Sequence, residues 1–112
     1  MVAKLPNPDN AVIDTRKLRD YCLNPLHPRG RNKARVFASA LGLTADDAER
    51  LREALLSAAR SKDAELTKRD EYGQRYVLDF EMETEAANAT IRSGWIVRRE
   101  EDFPRFTSCW VL

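Results

Sequence analysis

The sequence predicts an α+β domain, with three N-terminal helices packed on a C-terminal four-stranded antiparallel meander sheet. Three observations predict it. Apolar residues recur at helical spacing between Asp14 and Ser61. From Ala64 onward they alternate with polar residues instead. The alternating runs are joined by short connections, which suits neighbouring antiparallel strands. The chain has 112 residues, the usual size of one domain, and residues 1–112 are read as a single unit.

The elements follow in order. "MVAKLPNPDN" reads as an irregular lead, and "AVID" is a candidate for pairing at a sheet edge. Asp14 is placed to cap a first helix, "TRKLRDYCL", whose Leu18, Tyr21 and Cys22 share one face. Pro25 stops it, because proline disfavours helical geometry in the residue before it. "NPLHPRGRN" is a loop with a partly preset backbone. Asn32 is the candidate cap of the next helix, "KARVFASAL", with Val36, Phe37, Ala40 and Leu41 as its apolar stripe and Gly42 as its left-handed end. Thr44 and Asp47 have capping-box spacing at the head of a third helix, which buries Ala48, Leu51, Leu55, Ala58 and Ala59. The strands are "AELTKRD", "QRYVLDFEMET", "ATIRSGWIVRR" and "RFTSCWVL". Tyr76, Leu78, Phe80 and Met82 share one face of the second strand, and Ile91, Ser93, Trp95 and Val97 one face of the third.

Composition excludes several functions. No apolar run is long enough to span a membrane, and no membrane partner is expected. The N-terminus lacks a signal-peptide pattern, so a cytoplasmic protein is expected; a module released from a longer secreted chain would read the same way. One histidine and two widely spaced cysteines, Cys22 and Cys109, make no zinc motif and no disulfide framework. No metal and no cofactor is expected, and free buried thiols are. Net charge is +1 but uneven. Residues 1–37 hold eight Lys/Arg against three Asp, a net of +5, whereas residues 38–85 carry a net of −5. Such a local excess attracts anions locally.

That excess concentrates in "LNPLHPRGRNKARVF", which holds His27, Arg29, Arg31, Lys33 and Arg35. The unperturbed imidazole titrates near neutral pH. Lys33 and Arg29, with the N–H groups at a helix start, suit a phosphate. Metal-free RNA cleavage needs such a set: an acid/base group, and cations for the charge that builds on phosphorus. The second acid/base has to come from the sheet, where Tyr76, Arg92, Ser93, Thr107 and Ser108 are candidates. The competing reading of His27 is structural, a ring that hydrogen-bonds a backbone carbonyl and locks its loop.

The runs "KLRDYCLNPLHPRGRNKARVFASALGLT", "YGQRYVLDFEM", "RSGWIV" and "DFPRFTSCWVL" resemble a bacterial family described only as a domain of unknown function, class 6883. The Asn24–Pro25, His27–Pro28, Gly30 and Lys33–Ala34 pattern carries the resemblance most specifically. Domains similar to it also occur at the C-terminal end of long secreted polymorphic toxins. The helices-then-sheet order is similar to the barnase, colicin D and RelE-like toxin ribonucleases. This resemblance implies a site where an N-terminal helix meets the concave sheet, with His27 and Lys33 on the helical side and Arg92 and Thr107 on the sheet. Arg29, Arg31 and Tyr76 are then substrate-binding candidates, and RNA is the expected substrate of a metal-independent endoribonuclease. The alternative is a non-catalytic interaction module. It would be a toxin–antitoxin component with a small cognate protein partner, or a homodimer pairing through its apolar last strand.

Overall fold

The change of period divides the fold as it divides the sequence. In the structure, a computed structural model describing residues 2–112, α1 (Thr15–Lys17), α2 (Arg31–Leu41) and α3 (Ala48–Ser61) precede most of the sheet. The strands are β1 (Val2–Lys4), β2 (Asp63–Asp70), β3 (Gly73–Glu83), β4 (Asn88–Arg98) and β5 (Arg105–Val111). They pair in chain order, each neighbour antiparallel, so the meander is present with a fifth strand added. The added strand is β1, where an irregular lead was expected: Val2 to Lys4 lie opposite Asp63 to Glu65. Three residues are too few to show a period, and the free edge of β2 supplies the pairing instead. The expected edge role of "AVID" is met by Val12, which bridges Arg105 in parallel on the outer side of β5.

Helix starts and stops mostly follow local chemistry. The Asp14 carboxylate accepts the Arg16 N–H, and Thr44 and Asp47 form the full capping box. α2 ends at Gly42 in the left-handed region. Two expectations are corrected. Asn32 does not cap α2, which begins at Arg31, one residue before it, after an N-cap at Gly30. Val36 is 43% exposed, and the buried stripe of α2 is Ala34, Phe37 and Leu41.

The first helix also differs from a plain α-helix. After Lys17 it widens into a π-turn over Leu18–Cys22, closed by the Leu23 N–H donating to the Leu18 carbonyl at 2.8 Å. The wider turn lets Leu18, Cys22 and Leu23 all reach the core, while Tyr21 stays half-buried at the rim.

The core lies between the helices and the inner sheet face, where Leu78, Phe80, Ile91, Trp95, Phe106 and Cys109 are buried. Trp95 and Phe106 meet edge to face at 5.6 Å. Buried Ser93 accepts a hydrogen bond from Trp95 Nε1 and donates to the Leu78 carbonyl, so its hydroxyl is fully used inside the core.

Candidate functional site

The π-turn, the loop before α2, the start of α2 and β5 converge at one edge of the sheet. Gly30 lets them approach closely: a Cβ there would stand 2.4 Å from the Tyr21 carbonyl oxygen. His27 and Lys33 are thereby set around one side chain. The Tyr21 ring lies 4.7 Å from the His27 ring, centroid to centroid, and 5.9 Å from Lys33 Nζ. Lys33 Nζ also stands 4.8 Å from the Trp110 ring centre, within cation–π range of both aromatics.

His27 serves the backbone through Nδ1, which accepts the N–H groups of Arg29 and Gly30, each at 3.0 Å. These donors lie two and three residues on, where an N-cap side chain would bond, and they stand at the entrance to α2. The structural reading of this histidine is therefore met, with backbone N–H donors in place of the expected carbonyl acceptor. With Nδ1 accepting, the neutral ring carries its proton on Nε2, which remains a donor.

Beside this cluster is a hollow of about 250 Å³ lined by Lys17, Tyr21, Thr107 and Ser108. A larger one of about 440 Å³ shares Lys17 and Thr107 with it and adds Asp14, Arg75, Arg98 and Arg105, among others. Thr107 sits where the β4–β5 register shifts, between the Gly94–Ser108 and Trp95–Phe106 pairs. Gly94 makes room for it, since a Cβ there would meet Thr107 Oγ1 at 2.7 Å. Lys17 Nζ donates to the Phe106 carbonyl at 3.2 Å and so ties the first helix to β5.

The cations differ in what they are free to do. Arg16, Arg75, Arg92 and Arg105 are each paired with a nearby carboxylate. Among the described residues, Lys17, Arg29, Arg31, Lys33, Arg35 and Arg98 form no ion pair. Lys62, Lys68, Arg69 and Arg99 are likewise unpaired but lie away from these hollows; the first six surround the α2 entrance and the hollows, where an unpaired cation can meet an incoming anion without first giving up a partner.

Behind the smaller hollow, Ser108 Oγ lies 3.9 Å from Cys22 Sγ. Cys22 and Cys109 are both free and buried. The Cys22 thiol is lowered to about 7, chiefly by the hydrogen bond from the Cys109 thiol. The Cys109 N–H, the Ser108 hydroxyl and the Lys33 charge act in the same direction, against the effect of burial. Cys109 is pushed well above the usual thiol range, first by its hydrogen bond to Cys22 and then by burial.

Several residues singled out in the sequence lie elsewhere. Arg92 is held bidentate by Asp79 at 2.9 Å on the outer sheet face and does not line either hollow. Tyr76 lies opposite Trp95 on β3 and lines a separate depression with Leu66, Arg69 and Val97. Ser93 is sealed in the core. Arg29 and Arg31 are exposed beside the α2 entrance. Sequence reasoning passed over Lys17, Tyr21 and Trp110; the one available signal was the i, i+4 spacing of Lys17 and Tyr21.

Fold and site together define a small α+β domain with a cationic cleft between its helical edge and its last strand. The chain belongs to the family described as Domain of unknown function (DUF6883), whose model matches residues 4–112. It is similar in fold to a chain of a contact-dependent growth inhibition toxin–immunity protein complex from Klebsiella pneumoniae 342. That likeness has a TM-score of 0.69 at 15% identity and covers 90% of this chain and 99% of that one. No curated protein matches the sequence.

Proposed function

We propose that this chain is a toxin-type, metal-independent endoribonuclease that binds the scissile phosphate at the smaller hollow. The observation that carries the reading is the convergence of His27 and Lys33 on Tyr21, the one residue of that cluster that lines the neighbouring hollow, with Lys17, Thr107 and Ser108. Lys17 and Lys33 would balance the charge that builds on phosphorus, the largest share of catalysis in such a site. The His27 Nε2–H would donate a hydrogen bond to a non-bridging oxygen of the scissile phosphate, a role that suits the neutral tautomer fixed by its Nδ1 bonds, while the departing 5′ oxygen takes its proton from solvent. Thr107 and Ser108 would hold the ribose 2′-hydroxyl, whose proton leaves to solvent. Arg29, Arg31 and Arg98 would engage flanking phosphates. Incubation of the purified chain with total RNA in EDTA tests this, with Lys33→Gln alongside. Cleavage by the wild type and its loss in the variant are expected. An intact RNA pool, or equal cleavage by both proteins, overturns it.

A second reading is supported by the same unpaired cations and by the fold likeness to a chain from a toxin–immunity complex. In it, the α2 entrance docks an acidic protein partner, without catalysis. Self-association through β5 is less favoured, because Val12 and Lys17 already occupy part of that edge. A clean monomer by light scattering removes the homodimer version, and RNA cleavage without any partner removes the non-catalytic one.

A further inference from the structure

Cys22 lies in the π-turn and Cys109 in β5, far apart in sequence, yet both are buried in the core, and Cys22 Sγ lies 3.9 Å from the hydroxyl of Ser108, the residue next to Cys109. We infer that these two thiols are a dithiol that peroxide closes, reversibly, into an intramolecular disulfide stapling the helical layer to the last strand.

The placement carries the inference. Both side chains belong to one core cluster, so no domain movement is needed to join them. The flanking residues Tyr21 and Ser108 line the hollow, and Ser108 Oγ touches Cys22 Sγ, so a molecule as small as a peroxide has only a thin wall to cross. Cys22 faces Lys33 of α2 and Ser108 and Cys109 of β5, all of which favour its thiolate, and Cys109 is held as a thiol. One thiolate beside one thiol is the pairing that thiol oxidation requires.

The steps balance. The Cys22 thiolate attacks the peroxide O–O bond, forms an S–O bond and releases hydroxide, leaving a sulfenic acid. The Cys109 sulfur then attacks the Cys22 sulfur. The S–O bond breaks, the S–S bond forms, and the Cys109 proton leaves with the departing oxygen as water. Two electrons pass from the thiols to the peroxide.

The test uses the whole chain treated with hydrogen peroxide, denatured, alkylated and mapped by mass spectrometry. The expected product is a Cys22–Cys109 peptide with a mass deficit of about 2 Da that dithiothreitol restores. With the Cys22 thiol at about 7, closure should run about tenfold faster at pH 8 than at pH 6. Cys109→Ser should stop at a sulfenic acid on Cys22 that dimedone traps. The wild-type map decides the matter even if a variant fails to fold. Two thiols that both remain alkylatable after peroxide, or linkage only between chains, overturns the inference. The outcome does not depend on whether the chain cleaves RNA.

Discussion

Replacing His27 separates its two roles. His27→Ala removes the acceptor of two backbone N–H groups at the α2 entrance and a ring in contact with Tyr21. Loss of a helix-entry cap costs about 1 kcal/mol, and loss of an aromatic contact about 0.5–1.5 kcal/mol. The total is about 2 kcal/mol. In urea this should appear as a lower midpoint with an unchanged slope. His27→Asn is the informative partner. Its side-chain oxygen can accept N–H groups two and three residues on, as asparagine does at caps and turns, but it has no donor where the ring Nε2–H stands. Asn should recover about half of the lost stability and none of the RNA cleavage. Two results refute the reasoning. If His27→Ala unfolds within about 0.3 kcal/mol of the wild type, the cap contributes nothing. If His27→Asn cleaves RNA as the wild type does, the ring Nε2–H does not hold the phosphate.

The remaining predictions concern charge, core and pH. Arg92→Ala breaks an exposed pair that lies outside both hollows, so neither the urea midpoint nor RNA binding should change measurably. A loss of binding by filter assay would return Arg92 to the site. Lys33→Gln should lower the salt dependence of RNA affinity by about one phosphate contact, read as the slope of log K against log salt. An unchanged slope would remove Lys33 from the phosphate. Ser93→Ala leaves Trp95 Nε1 without an acceptor in the core and should cost about 2 kcal/mol by chemical unfolding, with altered tryptophan fluorescence. Stability equal to the wild type would mean that this network adds nothing. Absorbance at 240 nm should show one thiolate forming near pH 7, absent in Cys22→Ser. Because the folded Cys22 value lies below the ordinary 9.0, its contribution is fully present above pH 9 and is lost as pH falls through 7. Cys109 acts oppositely, contributing below pH 9 and losing that contribution above it. The pair should therefore make the wild type gain stability over Cys22→Ser between pH 7 and 9, and a flat difference across that window would refute it.

Local chemistry made much of the fold legible. The Asp14 cap, the Thr44–Asp47 box, the Gly42 stop and the alternation along β3 and β4 depend on neighbours within a few residues, and each stands where the sequence puts it. β1 did not show, because three residues have no period and a strand that short exists only by pairing with a distant edge. Val36 was misplaced for a related reason. Helical spacing says which residues share a face, but only the packing of α2 on the sheet selects which face is buried.

The candidate site divides along the same line. His27 and Lys33 could be chosen from the chain, since they crowd one loop and one helix start. Thr107 and Ser108 stood among the sheet candidates, but nothing in the chain separated them from Tyr76, Arg92 and Ser93, and Lys17 and Trp110 did not show, because the wide turn at Leu18–Cys22 and the register shift in β5 set which side chains gather there. Sequence alone set the order of helices and strands, the basic N-terminal third and the single imidazole. Tertiary structure alone decided which cations keep no carboxylate partner, and that a thiol near the start of the chain meets the Ser108–Cys109 pair near its end. These are contacts between distant segments, and they depend on how the layers close over one another rather than on what any one segment prefers.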